Sequence, residues 1–156
     1  MYDIKVKKIA PIEVISKSAP VNDFATSGEI NVALFREVRE HVLNNGAGYA
    51  GYDIALYHGI PTQTNLSLEA AIPVSEALPI NDNMKRYELP AVDMMASLIH
   101  YGGYDSYHLA HGAMQQWIAD NGYRQAGAVR DVYLVFDIAG DPDKYVTELQ
   151  YPIQVV

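Results

Sequence analysis

Two glutamates occupy matching positions in this sequence, each four residues before a proline. Glu148 lies inside the segment Tyr145–Ile153, and Glu69 precedes Pro73 in the same way, 79 residues earlier. Side chains of alternating character along Tyr145–Ile153 predict a strand with Glu148 near its middle. A buried carboxylate must find a positive partner or take up a proton. We therefore predict that Glu148 is the counter-charge of a bound cation, and that Glu69 is a candidate second acid of the same site.

Tyrosine is the second chemical signal, with 12 residues against 3 phenylalanines and 1 tryptophan. A tyrosine ring combines a flat apolar surface with a polar tip, and rings packed around a cation contribute roughly 0.5–2 kcal/mol each. The same excess also suits a protein rich in strands, which tyrosine favours. Trp117 lies on an apolar helical stripe and fits a core position as well. On the binding-site interpretation, the aromatic candidates around Glu148 are Tyr52, Tyr57, Tyr104, Trp117 and Tyr133.

The segments that must hold these residues follow one order twice. Asn45-Gly46 recurs as Asn121-Gly122, 76 residues later. An internal repeat at this distance predicts two halves, of about residues 1–80 and 81–156, each with the order strand, helix, strand, strand. One half alone has too few strands for an independent core, so the two must pack together.

Apolar periodicity and turn residues predict the individual elements. The strands are expected at 2–9, 13–17, 49–57 and 66–74 in the first half, and at 84–89, 92–99, 132–138 and 145–155 in the second. Thr26 and Glu29 have capping-box spacing and predict the start of the first helix, which Asn45-Gly46 ends. The second helix is predicted from Asp105 to Asn121.

Strand alternation assigns side chains to the two faces of the expected sheet. Leu68 and Leu149 share the parity that suits packing under helices, whereas Glu69 and Glu148 share the other parity. The sequence thus predicts an α+β domain of two pseudo-twofold-related strand-helix-strand-strand repeats. Both helices should cover one face of an antiparallel sheet, and a ligand pocket should lie at the other face, near the seam between the halves.

The composition is that of a single globular domain over residues 1–156. Hydrophobic residues make up 49% and charged residues 19%, the net charge is −8, and no basic patch is visible. Direct nucleic-acid binding is therefore not expected, and cations are favoured as ligands. The absence of cysteine excludes disulfides and thiolate metal sites. No apolar run reaches membrane length and no signal peptide precedes the first strand, so the expected location is the cytoplasm.

Three histidines have a spacing that could suit a metal ion. His108 and His111 are three residues apart on the predicted second helix, and His100 lies upstream. This spacing can bind a metal ion, but no H-E-x-x-H pattern accompanies it. We expect the histidines to flank the apolar stripe of the helix, with no metal and no cofactor bound.

Four segments, in order along nearly the whole chain, carry a family resemblance. They are Tyr2–Ile9, His100–Tyr104 followed by a helix with Trp117, Asn121–Tyr123, and Thr147–Ile153. Together they resemble the GyrI-like small-molecule-binding domains, which also form the effector-binding domains of some AraC-type and MerR-type multidrug regulators. The resemblance implies binding of cationic, often planar drugs, for sensing or sequestration. It also implies that the glutamate of the last strand, here Glu148, lies at the base of an aromatic pocket.

No helix-turn-helix precedes the domain, and Met1 directly before the first strand favours a stand-alone protein over a fragment.

The resemblance leaves two alternatives open. Some stand-alone members of the family are hydrolases that open cyclopropane rings of DNA-alkylating natural products, and Glu148 with Tyr133 would then be the general base and acid. Other members are named for antagonising DNA gyrase, and the charge of −8 suits a partner that normally binds DNA. A protein partner, gyrase or a transcription regulator, is therefore the second alternative, and the oligomeric state is left open.

Overall fold

The structure, a computed structural model, describes residues 2–23, 26–59, 66–81, 83–136 and 140–156. Within these residues the chain is an α+β fold with nine strands and two helices. The strands are β1 (Lys5–Ile9), β2 (Ile12–Val21), β3 (Ile54–His58), β4 (Leu66–Pro73), β5 (Met84–Leu89), β6 (Val92–Tyr101), β7 (Tyr123–Gln125), β8 (Val129–Val135) and β9 (Val146–Val155). The helices are α1 (Ser27–Asn44) and α2 (Tyr107–Asp120). Neither helix of this described part is long and apolar enough to cross a membrane.

The strands pair antiparallel in the order β1-β6-β9-β8-β3-β4-β2-β5, and β7 pairs with β9. Strands of the two halves pair at three places: β3 with β8 in the middle of this order, where Ile54 lies opposite Val132, and β1 with β6 and β2 with β5 at its ends. The strands that carry Glu69 and Glu148, β4 and β9, each lie one strand away from the seam of β3 with β8. The seam therefore brings the last strands of both halves to the centre of the sheet.

Two prolines allow the sheet to bend back on itself. β1 and β2 lie far apart in the strand order, yet only Ala10 and Pro11 separate them along the chain. β5 and β6 are likewise separated by Pro90 and Ala91 alone. Because two linking residues bridge at most about 11 Å between the flanking Cα atoms, the two ends of the sheet must approach each other. A second apolar cluster fills the resulting concave face and contains Val14, Ile54, Leu56, Ala71 and Leu89.

Both helices cover the opposite face of the sheet, as the sequence predicts. α1 buries its apolar stripe of Leu34, Phe35, Val38 and Val42. α2 buries Tyr107, Ala110, His111, Met114 and Ile118. These side chains pack on strand residues of one parity, including the fully buried Leu68 and Leu149. Glu69 and Glu148 have the other parity, so they project from the concave face.

The helix ends agree with the sequence in part. Gly46 and Gly122 follow the two helices with φ of 71° and 76°, a left-handed conformation that favours glycine, and both predicted stops are confirmed. The predicted capping box does not form, because the Thr26 hydroxyl donates instead to the carbonyl oxygen of Asp23 at 2.9 Å. α2 begins two residues after Asp105, since a turn of 3-10 helix precedes it.

Several strand boundaries differ from their predictions: β1 begins only at Lys5, β2 continues to Val21, and the short β7 has no counterpart in the sequence prediction. β3 starts at Ile54, and Tyr49 makes only an isolated bridge to Val74. β8 starts at Val129, three residues before its predicted start, while its predicted end at Ile138 lies outside the described residues. The earlier start of β8 brings two charged residues, Arg130 and Asp131, into the sheet.

Candidate functional site

Glu148 is 9% exposed on β9 and has partners within the protein. Lys7 Nζ lies 2.7 Å from its Oε2, and Gln150 and Ser97 donate hydrogen bonds to the same oxygen at 2.6 and 3.0 Å. Burial raises the pKa of this carboxyl, but the hydrogen bonds from Lys7 and Gln150 and the Lys7 charge outweigh burial and leave the pKa below its usual value. Glu148 thus has partners within the protein, and its role as the counter-charge of a bound cation stays a prediction.

Two lysines make the surroundings of Glu148 unfavourable for a further cation. The cavity beside it, of about 720 Å³, is lined by Lys5 and Lys7. Lys5 Nζ lies 3.5 Å from Asp3 Oδ2, so the carboxylate of Asp3 already has a cationic partner. A cationic ligand would have to displace Lys7 from Glu148, and the exchange of one cation for another gains little Coulomb energy.

Glu69 is 1% exposed on β4 and is held by three side chains. Ser16 and the Tyr87 hydroxyl donate to its Oε2 at 2.6 and 2.5 Å, and His58 Nε2 lies 2.7 Å from its Oε1. Burial raises the pKa of this carboxyl, but the hydrogen bonds, that of His58 first, leave it below its usual value. Glu69 and Glu148 thus occupy equivalent places with separate partners.

The carboxylates of Glu69 and Glu148 should make the stability of the fold sensitive to acid. Both folded-state pKa values are lowered from 4.5, so the stability that they contribute is fully present above pH 4.5 and is lost as the pH falls through the folded-state values. We expect the free energy of unfolding, measured by urea melts from pH 7 to 3, to fall below pH 4.5. A double variant, Glu69→Gln with Glu148→Gln, should lose less over the same window. Identical pH profiles for the two proteins would contradict this account.

Tyr133 lies on the other side of the sheet from Glu148. In the pairing of β8 with β9 it stands opposite Thr147, the neighbour of Glu148, so the two side chains project from opposite faces. Its ring packs against Phe35 of α1, with centroids 5.8 Å apart. Glu148 and Tyr133 therefore cannot act on one substrate as base and acid.

A different carboxylate, Asp131 of β8, lies beneath the helices. Its side chain is 0% exposed and interacts with the Tyr57 hydroxyl, whose pKa it raises, although neither oxygen has a partner in close hydrogen-bond geometry. His111 Nε2 of α2 lies 3.6 Å from Oδ1, and the Nδ1 of the same ring is 2.7 Å from the Tyr151 hydroxyl. A buried carboxylate without close partners costs several kcal/mol of stability.

Five tyrosines lie within electrostatic range of Asp131 and are called the tyrosine cage below: Tyr57, Tyr104, Tyr107, Tyr133 and Tyr151. Burial raises the pKa of each hydroxyl, and the negative charge of Asp131 raises each further. The cage hydroxyls are therefore neutral at pH 7, and the acidic side chain among them is that of Asp131. Asn31 Nδ2 donates to the hydroxyls of Tyr133 and Tyr104 at 2.7 and 3.1 Å, which fixes both rings.

A cavity of about 690 Å³ opens beside the cage. Its wall is aromatic, with Tyr104, Phe136 and Tyr145 among the lining residues. The Phe136 ring lies 4.7 Å from that of Tyr145 and 5.2 Å from that of Tyr133, centroid to centroid. Aromatic walls below an acidic rim favour a cation. The rim carries three exposed carboxylates, Asp105, Asp141 and Asp143.

The other predicted aromatic residues lie elsewhere. Trp117 stacks on Tyr123, with centroids 5.7 Å apart and an interplanar angle of 18°. Tyr52 is exposed in the segment before β3. The structure brings together three of the predicted site residues, Tyr57, Tyr104 and Tyr133.

The histidines of α2 only partly follow their prediction. His108 is exposed, but His111 is fully buried within the apolar stripe, where it lies beside Asp131. His100 instead bonds to Tyr2 at 2.8 Å and to Ser106 at 2.9 Å. In the described part of the chain, no three side chains of metal-binding type are grouped.

Sequence reasoning missed Asp131. The predicted strand begins at residue 132, after Arg130 and Asp131. The signal that was present is the alternation of Val129, Asp131 and Tyr133, which places an acid between an apolar and an aromatic residue on one parity of β8.

Comparison with known proteins gives this arrangement a context. The GyrI-like small molecule binding domain family matches residues 2–154. The crystal structure of the EcmrR C-terminal domain is similar at 27% identity and a TM-score of 0.86, and covers 100% of this chain and 99% of that one. EcmrR in its complex with DNA is similar at 27% identity and a TM-score of 0.85, over 99% of this chain. This chain spans only 58% of that longer protein.

A more distant structure shares the fold. SAV2435 bound to tetraphenylphosphonium is 9% identical, with a TM-score of 0.66, and the similarity covers 97% of this chain and 94% of that one. Among curated proteins, no sequence matches this chain. Because the family match extends over nearly every residue and the EcmrR domain shares the whole fold, this chain belongs to the GyrI-like small-molecule-binding domain family.

Proposed function

We propose that this domain binds lipophilic, aromatic cations, with Asp131 as the buried counter-charge and the tyrosine cage as the aromatic lining. The observation that carries the proposal is the carboxylate of Asp131, which is fully buried beneath the helices and is held loosely, by the Tyr57 hydroxyl and by His111 Nε2 at 3.6 Å. Membership of a small-molecule-binding family supports a ligand at this site. The tetraphenylphosphonium bound to SAV2435 supports the choice of a lipophilic cation as the ligand class.

A cation beside Asp131 gains free energy in two ways. Coulomb attraction is strong where water is excluded, and it offsets the desolvation that the carboxylate suffers in the free protein. Each tyrosine ring that faces the cation adds roughly 0.5–2 kcal/mol. Such a site requires only positive charge and flat apolar surface, so it accepts ligands of varied structure.

The ligand enters through the aromatic cavity next to the cage. Phe136 and Tyr104 form the boundary, because the Phe136 ring contacts Tyr133 and the Tyr104 ring lies 5.0 Å from that of Tyr107. Rotation of Tyr104 breaks its 3.1 Å hydrogen bond from Asn31 and its hydroxyl contact with Tyr133, whereas Tyr133 keeps the shorter hydrogen bond from Asn31. Tyr104 is therefore the ring that turns when a ligand passes toward Asp131.

The biological use of such binding is sensing or sequestration. Sequestration requires only this domain. Sensing requires a DNA-binding partner or segment that responds to the occupied state, and the similarity to EcmrR, which is found in a complex with DNA, supports that arrangement.

The decisive variable is the charge of the ligand. Tetraphenylphosphonium and tetraphenylborate have nearly the same shape and opposite charge. In calorimetric titrations at matched salt, the cation should bind at least about 100-fold more tightly than the anion, equivalent to about 2.7 kcal/mol. Equal affinities, or tighter binding of the anion, would refute the proposed function.

The acidic rim should accelerate the arrival of a cation. Replacing Asp105 and Asp143 by asparagine removes two exposed negative charges from the opening, so the association rate of a rhodamine cation should fall several-fold at low salt. The dissociation rate should stay the same, and the difference should vanish near 0.5 M salt because of screening. Stopped-flow fluorescence measures both rates.

The control variant has Asp93 and Asp120 replaced by asparagine, and neither residue lines this cavity. Its association rate should equal that of the unmodified protein. An equal fall of the association rate in the control would contradict local steering.

A further inference from the structure

Arg130, the neighbour of Asp131 on β8, projects from the concave face and is a buried cation. Its side chain is 3% exposed. Nη2 donates to the carbonyl oxygen of Pro90 at 3.2 Å, but Nη1 is buried without an acceptor. No carboxylate of the residues that the structure describes forms an ion pair with it. A guanidinium in this position has lost water without gaining a counter-charge.

The unsatisfied guanidinium lines a cavity of about 520 Å³ on the concave face. The cavity lies between the corner that joins β5 to β6 and the segment that leads into β8. A volume of this size is typical of a site for a small organic molecule. Its surface is mainly apolar and includes Leu56, Leu89, Val92, Met94, Ala128 and Pro152.

The other polar groups at the cavity do not neutralise Arg130. Tyr87 and His58 line it, but both are bonded to the carboxylate of Glu69. Asp93 also lines it and is exposed to solvent. Within the described lining, Arg130 is the one fully charged side chain that is buried, so an incoming anion meets a desolvated positive charge on an apolar surface.

We propose that this cavity is a second ligand site, which takes a small organic carboxylate with an apolar body. The carboxylate accepts from Nη1 of Arg130, and the planar guanidinium suits a planar acceptor group. The apolar body packs on Leu56, Leu89 and Met94. The site is independent of the cation site, because the sheet separates Arg130 from Asp131 and the two sites select opposite charges.

The probe for this site is 3-phenylpropionate, with 3-phenylpropionamide as its neutral counterpart of the same shape. Titration followed by amide NMR should shift Gly127 and Ala128 at probe concentrations on the order of 1 mM. The amide should bind at least about tenfold more weakly, because it lacks the charge that pairs with Arg130. Arg130→Gln should lose the preference for the carboxylate, whereas Asp131→Asn, a variant of the other site, should keep it.

A blocking variant covers the case in which Arg130→Gln fails to fold. Ala128→Leu fills part of the cavity and leaves the guanidinium in place, so 3-phenylpropionate binding should fall by about tenfold or more. The proposal is overturned if the carboxylate and the amide bind equally, if neither shifts Gly127 and Ala128, or if the Ala128→Leu variant binds as the unmodified protein does. Failure of this test leaves the cation site unaffected, since the probe and the reporting residues differ.

Discussion

Asp131→Asn should weaken tetraphenylphosphonium binding at least roughly 30-fold, a loss of about 2 kcal/mol. Asparagine keeps the shape of the side chain and removes the charge, so the lost affinity measures the Coulomb contribution. The same change should raise the free energy of unfolding by about 1–3 kcal/mol, because the folded protein no longer buries a carboxylate that the Tyr57 hydroxyl and His111 hold only loosely. Calorimetric titration and urea melts of the same preparation measure the two effects. A gain in stability together with a loss of binding is typical of a functional residue rather than a structural one.

Glu148→Gln is the matched control for this variant. It also exchanges a carboxylate for an amide inside the sheet, but on the concave face and beside Lys7. We expect the affinity for tetraphenylphosphonium to change by no more than about twofold. If Glu148→Gln abolished binding while Asp131→Asn left it intact, the acid of the last strand would be the receptor and the assignment to Asp131 would fail.

Glu69→Ala should destabilise the protein by about 3–5 kcal/mol, because Ser16, Tyr87 and His58 all lose the acceptor that they share. For a chain of this size, the melting temperature should fall by roughly 10 °C. Binding of tetraphenylphosphonium at a temperature where the variant is folded should be unchanged. Differential scanning calorimetry and titration test the two parts separately.

The equivalent change in the other half, Glu148→Ala, should cost only about 1–2 kcal/mol. Its main partner, Lys7, has a side chain that is 44% exposed and can turn to water when the carboxylate is removed. The two matching glutamates differ in their own exposure, which is 1% for Glu69 and 9% for Glu148. Equal losses of stability in both variants would show that this difference in surroundings has no energetic effect.

The sequence predicts the faces of the sheet well, because side-chain alternation within a strand is a local property. The parity of Glu69 and Glu148 follows from a strand period of two, and the structure places both on the face without helices, as predicted. The helix ends at Gly46 and Gly122 follow from an equally local cause, the left-handed conformation that glycine tolerates.

The partners across strands could not be predicted in the same way. Lys7 reaches Glu148 only because β1 pairs with β6 and β6 with β9, a register that long-range packing sets. Alternation shows which face a residue occupies but not which residues of other strands share it. For the same reason, the sequence grouped Tyr133 with Glu148 by strand proximity, although the pleat puts their side chains on opposite faces.

Asp131 illustrates a limit of another kind. A buried acid next to a basic residue looks like a solvated pair in the sequence, since opposite charges commonly neutralise each other at a surface. In the strand the two neighbours project in opposite directions, Asp131 into the tyrosine cage and Arg130 into the concave face. The proposed function requires that Asp131 and Arg130 do not form an ion pair with each other.

The central claim is that the carboxylate of Asp131 meets the bound cation, and carboxyl-carbon NMR tests it most directly. With ¹³C label in aspartate and glutamate side chains, the carboxyl signal of Asp131 should move as tetraphenylphosphonium is added, along the same binding curve that calorimetry gives. The carboxyl signals of Glu69 and Glu148 should stay in place. Movement of the Glu148 signal with a stationary Asp131 signal would contradict the account.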